Sequence, residues 1–281
     1  MNREEFHQKL IDESEQLAIS KSLNKYPYKE VYRVILHYLV KAVKLAKGID
    51  LLCKNKQVSN AKILLRTLYE VFCFCEYIDN EPEDIERDRK AENRLILFHI
   101  EEKETLNREQ KCGSVDINRC ECGEEEKKRL RENVIEAAKR VNTNYKNVLD
   151  VFRKRDQEYT NLPEKKLVGK IKEMGNGIKK EISEMYDKVS ETGNLGALYH
   201  IFVFRDCSKS VHASDFEEHV ELTQDKELKA SLGSTEDGLV ILSTSSIFLI
   251  RIMQVANSIL KLGEEKLIKN LLKHNGALQK Y

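Results

Sequence analysis

An all-α fold is what this sequence predicts, and three observations predict it. Apolar residues recur at three- and four-residue spacing along most of the chain, and sustained period-two alternation is absent. Only 12 Gly and 3 Pro are spread over 281 positions, too few punctuators for a turn-rich β protein. Charged residues make up 34% of the chain beside 41% hydrophobic, the balance of amphipathic helices with solvated outer faces. The 48 Lys and Arg nearly cancel the 47 Asp and Glu, leaving a formal net charge of +1. A strongly basic nucleic-acid wrapper and an acidic tail are thereby excluded, while a local basic face is not.

Each element follows from its own pattern. Phe6, Leu10, Ile11 and Leu17 mark a first amphipathic helix ending near Asn24. Pro27 stands where a second helix can begin, and Val31, Ile35, Leu39, Val43 and Leu51 carry it to about Lys54. A third helix starts after Ser59 or Asn60, both good N-caps, and stops near the Asn80–Pro82 turn. Residues 83–111 form a charged helix with a narrow stripe of Ile85, Leu95, Leu97 and Ile100. KCGSVDINRCECG, residues 111–123, reads as a loop or insertion. A long polar helix then runs to about Arg155, followed by breaks at Asn161–Pro163 and at MGNG, residues 174–177. Shorter helices cover about 178–191 and 195–213, an apolar one about 236–262, and a last one about 264–274. With no internal repeat and no Ser/Gly/Pro linker, residues 1–281 are expected to form one all-helical domain.

The start of the chain, MNREEFHQKLIDESEQ, lacks the apolar core of a secretory signal, and a cytoplasmic protein is expected. Gly238–Leu260 is long enough to span a bilayer, yet holds Arg251, Gln254, Asn257 and five Ser/Thr residues. A charge near the middle of a lone span is costly, so a buried core helix and no membrane partner are expected. Cys112, Cys120 and Cys122 form a Cys-x7-Cys-x-Cys cluster that lacks both a fourth ligand and the paired spacing of zinc sites, so no metal site is assigned. Cys73 and Cys75 are read as buried, reduced thiols on a helix.

The segment LYHIFVFRDCSKSVHASDF, residues 198–216, carries the functional signal. On a helix Arg205, Ser208 and His212 fall at i, i+3 and i+7, along one face. Such a trio suits phosphodiester chemistry. The arginine neutralises charge on phosphoryl oxygens, the histidine moves a ribose 2′-OH proton, and the serine orients either by a hydrogen bond. Asp215, three residues beyond His212, can fix its tautomer. Arg66 and Glu70 stand at i, i+4 in the third helix among Leu68, Tyr69, Val71 and Phe72. A purely structural reading stays open: Arg66, Glu70, Arg205 and His212 as a buried polar network that holds helices in register.

Two blocks, LLRTLYEVFCFCEYI and LYHIFVFRDCSKSVHAS, resemble the bacterial helical family called domain of unknown function 5677. The resemblance covers roughly residues 55–220. The six residues between Arg205 and His212 also resemble the Arg-x4-6-His signature of the HEPN superfamily. That second resemblance implies a HEPN-like helical bundle with additional N- and C-terminal helices, acting as a metal-independent endoribonuclease in a toxin or antiviral setting. It implies Arg205 and His212 as catalytic residues, no cofactor, RNA as substrate, an inhibitory or partner protein, and a homodimer. The alternative is a non-catalytic module that binds a protein or a nucleotide.

Remaining signals are bland. Arg33 and His37, at i, i+4, read as polar positions of an amphipathic helix. His7, His99, His200, His219 and His274 lack supporting partners in sequence. Basic residues gather between Arg153 and Lys180, but interleaved acids and the lack of an aromatic platform favour a solvated surface. Phosphate-binding Gly-rich loops, zinc-protease and serine-hydrolase motifs are absent.

Overall fold

The structure is a computed structural model that describes residues 2–19, 29–111, 123–191, 220–222, 228–230 and 235–278. Eight α-helices dominate the described residues: α1 Arg3–Ile19, α2 Glu30–Lys54, α3 Val58–Asp79, α4 Asp84–Lys111, α5 Glu124–Arg155, α6 Glu164–Glu191, α7 Thr235–Leu260 and α8 Glu265–Leu278. A 3-10 turn, Gln157–Tyr159, follows α5. Among the described residues the departure from the helical pattern is a short ribbon. Strands β1, Val220–Leu222, and β2, Leu228–Ala230, pair antiparallel with Glu221 opposite Lys229. Three residues a strand are too few to write a period-two signal into the sequence. The protein is an all-α helical bundle.

Two compact units organise the chain, Met1–Asp88 with Ile182–Tyr281, and Arg89–Glu181. Both junctions fall within helices, in α4 and in α6, which is why no linker composition announces them.

In the first unit α2, α3 and α7 pack on one another, α1 lies on α2 and α7, and α8 meets α7 and α1. The chain enters α1 through reciprocal bonds: Glu5 N donates to Asn2 Oδ1 (2.8 Å) and Asn2 N to Glu5 Oε2 (2.9 Å), a capping box. The centre is aromatic. Phe248 of α7 stacks on Phe72 of α3 at 5.1 Å and tilts against Tyr69 at 5.3 Å. Gly48 lets α2 approach α3 closely, since a Cβ there would meet Leu64 Cδ1 at 2.7 Å. α3 begins at Val58, earlier than the capping residues predicted, and Ser59 and Asn60 lie inside its first turn. Val58 is buried, so core packing extends the helix past a local cap preference.

α7 is apolar enough to cross a membrane by length and composition, and 67% of its most apolar window is buried within the bundle. Its charge is answered: Arg251 donates from Nε to Glu76 Oε1 (2.6 Å) and from Nη2 to Oε2 (3.2 Å). This bidentate pair ties the middle of α7 to α3. At the end of α7, Asn257 Oδ1 accepts from Glu264 N at 2.8 Å, fixing the turn into α8.

The second unit buries Ala91, Ile96, Leu97 and Ile100 of α4, Leu149 and Phe152 of α5, and Leu167, Ile171 and Ile178 of α6. Ile85, expected in the α4 stripe, is instead 81% exposed. The predicted break at MGNG is also corrected, because α6 continues through Gly175 and Gly177. Gly175 is buried where a Cβ would meet Leu97 Cδ2 at 2.6 Å. The close approach to α4 gives this glycine a packing role that offsets its poor helix propensity. Phe152 stacks on Tyr159 at 5.0 Å, and Arg155 lies over Phe152 while bonding Asn93 and Glu92. Arg155 is therefore part of the fold. Lys165 and Lys166 on α6 are exposed, as a solvated surface predicts, whereas Lys172 pairs with Glu104.

Candidate functional site

Arg205, Ser208, His212 and Asp215 lie outside the described residues, as does the Cys112–Cys120–Cys122 segment. What the structure places is the α3 half of the constellation. Helical spacing sets Lys62, Arg66 and Glu70 in one row at i, i+4 and i+8, on the flank of α3 opposite the side carrying Val71 and Cys75. Arg66 Nε stands 3.6 Å from Glu70 Oε1, a charge pair too long for a strong hydrogen bond. The Arg66 side chain is 22% exposed and that of Glu70 54% exposed. Glu70 thus does not lie buried among Leu68, Tyr69, Val71 and Phe72, the place a purely structural network would give it. Leu68, Tyr69 and Val71 turn inward, while the 100° step between residues carries Glu70 out to solvent.

Lys62 adds a cation that sequence reading passed over. It is 8% exposed, one turn before Arg66 on the same row. The signal was its i−4 spacing from Arg66, hidden because a lone Lys in an amphipathic helix ordinarily snorkels to water. The row therefore carries two cations and one carboxylate, with Lys62 buried, Arg66 largely covered and Glu70 more than half exposed.

A second polar cluster reaches inward from α1, α2 and α7. His7 of α1 is fully buried, and its Nδ1 lies 2.8 Å from Ser246 Oγ of α7. Ser246 Oγ also lies 2.8 Å from the Leu242 carbonyl, so imidazole, hydroxyl and helix backbone meet in one buried cluster. Asp50 of α2, also buried, accepts from Lys54 Nζ at 2.6 Å through Oδ2. Burial pushes the His7 pKa down from 6.5 to about 4; the Asp50 carboxylate and the Ala46 carbonyl pull the other way and do not offset it, and Lys54 adds to the lowering. Burial, with Asp50 and Glu4 nearby, pushes the Cys53 thiol up to about 12, which keeps it protonated and unreactive. His7, read from sequence as bland, is thus a seat for α1. Its partner is 239 residues away, beyond any local pattern.

Other expectations resolve plainly. Cys73 and Cys75 are both buried thiols outside any disulfide. Arg33 and His37 are both exposed on α2, and Arg33 pairs with Glu30 at 3.7 Å. His99 meets Glu102 at 2.9 Å on the next turn of α4. Among the described residues no three His, Cys, Asp or Glu side chains converge as a metal ion would require.

Comparison with known proteins places the chain by family alone. Residues 32–228 match the model described as Family of unknown function (DUF5677). No curated protein and no solved structure matches the chain.

Proposed function

The chain belongs to the family of unknown function DUF5677, and from that premise we propose that it is a metal-independent endoribonuclease of HEPN type. The observation that carries the reading is the Arg205-x6-His212 segment, which lies inside the matched region together with Lys62, Arg66 and Glu70. The partly open Arg66–Glu70 pair supports it, since a purely structural network would keep Glu70 in the core.

In this reading His212 takes the proton of a ribose 2′-OH, and O2′ attacks the adjacent phosphorus. The bond from phosphorus to O5′ breaks, leaving a 2′,3′-cyclic phosphate and a 5′-hydroxyl that receives a proton. Arg205 neutralises the charge that builds on the non-bridging oxygens. Ser208 orients the phosphate or the imidazole, and Asp215 holds the imidazole tautomer. Arg66 supplies a second cation, and Glu70 limits the directions its guanidinium can take. The HEPN resemblance further proposes a homodimer, a cytoplasmic setting in toxin or antiviral defence, and an inhibitory partner protein.

The test is cleavage of mixed tRNA and rRNA in EDTA, comparing wild type with His212→Ala at matched concentration and matched melting temperature. Cleavage by wild type alone supports the proposal. Equal cleavage by both, or none by either, contradicts it.

A further inference from the structure

Charge is distributed unevenly along α5. In its first half acids and bases interleave, Glu124–Glu126 before Lys127–Arg129 and Arg131 before Glu132. From Lys139 to the end of the helix, Asp150 is the only acid beside six Lys and Arg. Helical spacing sorts most of these cations onto one side. Lys139, Lys146 and Arg153 recur every seventh residue along one line, and Arg140, Asn147 and Lys154 along a second, about 100° around. The two lines flank Thr143 and Asp150, on the side of the helix opposite the buried Phe152. Lys139, Arg140, Lys146, Asn147 and Lys154 are exposed, and Arg153 is partly covered.

The fold does not use most of this charge. Asp150 is answered within the helix, its Oδ1 accepting from Arg153 Nη1 at 3.3 Å. Lys139, Arg140, Lys146 and Lys154 meet no carboxylate among the described residues. A favourable end charge accounts for Arg153 and Lys154, which stand in the last turn. It does not reach Lys146, Arg140 and Lys139, roughly two to four turns earlier.

A strip of this composition selects its partner. A protein partner needs an apolar centre, and a membrane needs bulky apolar side chains to insert. Val151, 39% exposed at the edge of the strip, supplies neither. A phosphodiester backbone needs only cations and neutral donors. The lysines and arginines balance its charge, and the Asn147 amide, on the line between Arg140 and Lys154, donates to a phosphate oxygen. The strip carries no aromatic side chain to stack a base, so it holds backbone without reading sequence. We propose that residues 139–154 of α5 form a sequence-independent binding surface for the phosphate backbone of a nucleic acid. The strip is about 22 Å long, the reach of roughly six phosphates along one strand. It needs neither Arg205 nor His212, so the proposal does not rest on the ribonuclease reading.

Fluorescence anisotropy of a labelled oligothymidylate of about 20 nucleotides, titrated with the full chain, tests it. This probe has no 2′-OH to attack, so binding is read apart from cleavage. Wild type is expected to bind with a Kd on the order of 10 μM near 50 mM salt, with log K falling against log salt at a slope of about −3. A 2′-O-methyl oligouridylate of the same length is equally uncleavable and should bind within about threefold, because phosphates are what the strip holds. The variant carrying Lys139→Gln, Arg140→Gln, Lys146→Gln and Lys154→Gln should keep its circular dichroism spectrum, bind roughly tenfold weaker or less, and lose most of the salt slope. A control carrying Lys41→Gln, Lys44→Gln, Lys266→Gln and Lys269→Gln removes as much charge from exposed positions elsewhere and should bind within about twofold of wild type. A wild type that binds neither oligonucleotide, or that binds phosphatidylserine vesicles in their place, would overturn the proposal. So would a strip variant that binds like wild type, a control that loses as much as the strip variant, or a strong preference for one of the two oligonucleotides.

Discussion

In α7 the polar side chains within an apolar run find partners inside the bundle, the buried Ser245 hydroxyl excepted, whereas in α5 the apolar side chains of the first half face water. Ser243, Thr244 and Ser246 return their protons to carbonyls one turn back, Arg251 meets Glu76, and Asn257 caps the turn to α8. α7 has apolar residues on every side, so burial is its stable setting, and its polar groups are cheapest to bury where a local partner satisfies them. α5 has a narrow stripe between charged flanks. It stands in solvent on favourable end charges, three glutamates in its first turn and Arg153, Lys154 and Arg155 in its last. The difference teaches that stability resides in the first unit's α2–α3–α7 centre, while α5 offers surface.

The largest expected effect would break that comparison if it failed. Phe248→Ala removes a ring packed on Tyr69 and Phe72 and should cost about 3–5 kcal/mol in urea unfolding. Ile135→Ala on α5, at 54% exposure, should change stability by less than about 0.5 kcal/mol. Equal costs would mean that α5 is as enclosed as α7.

Next comes pH. An unfolded chain takes up a proton on His7 as pH falls through 6.5, while the folded ring, with its pKa near 4, does not. Stability tied to His7 is therefore complete above about pH 6.5 and lost progressively toward pH 4, by about 3 kcal/mol. Urea unfolding at pH 7, 5.5 and 4.5 should show that slope in wild type and a shallower one in His7→Gln. Parallel slopes would remove His7 from the seat of α1.

A smaller effect sharpens the account of α7. Glu76→Ala leaves Arg251 without its bidentate partner and should cost about 2 kcal/mol, less than for a fully buried pair because Arg251 is 41% exposed. A cost near zero would mean that packing alone holds α7 on α3.

Much of this architecture is written locally. The bounds of α5 follow from Gly123, the three glutamates after it and the Arg-Lys-Arg end, all readable one turn at a time. The burial of α7 is legible in its composition. What escapes is set by distant partners. Gly175 reads as a break until Leu97 is known to need its missing Cβ, and His7 reads as bland until Ser246 is brought to its ring. The candidate site divides in the same way. The Arg66–Glu70 spacing is visible in sequence, but the exposure of Glu70 depends on which side of α3 the bundle covers.

The most direct test of the central claim is made on Glu70→Ala, with melting and RNA cleavage in EDTA measured on the same preparation. If the half-exposed Glu70 borders the proposed catalytic site, its removal should leave the melting temperature where it is, within the ~0.5 kcal/mol of an exposed pair, and slow cleavage by roughly tenfold or more. A variant that melts far below wild type, or that cleaves RNA as fast as wild type, would contradict the account.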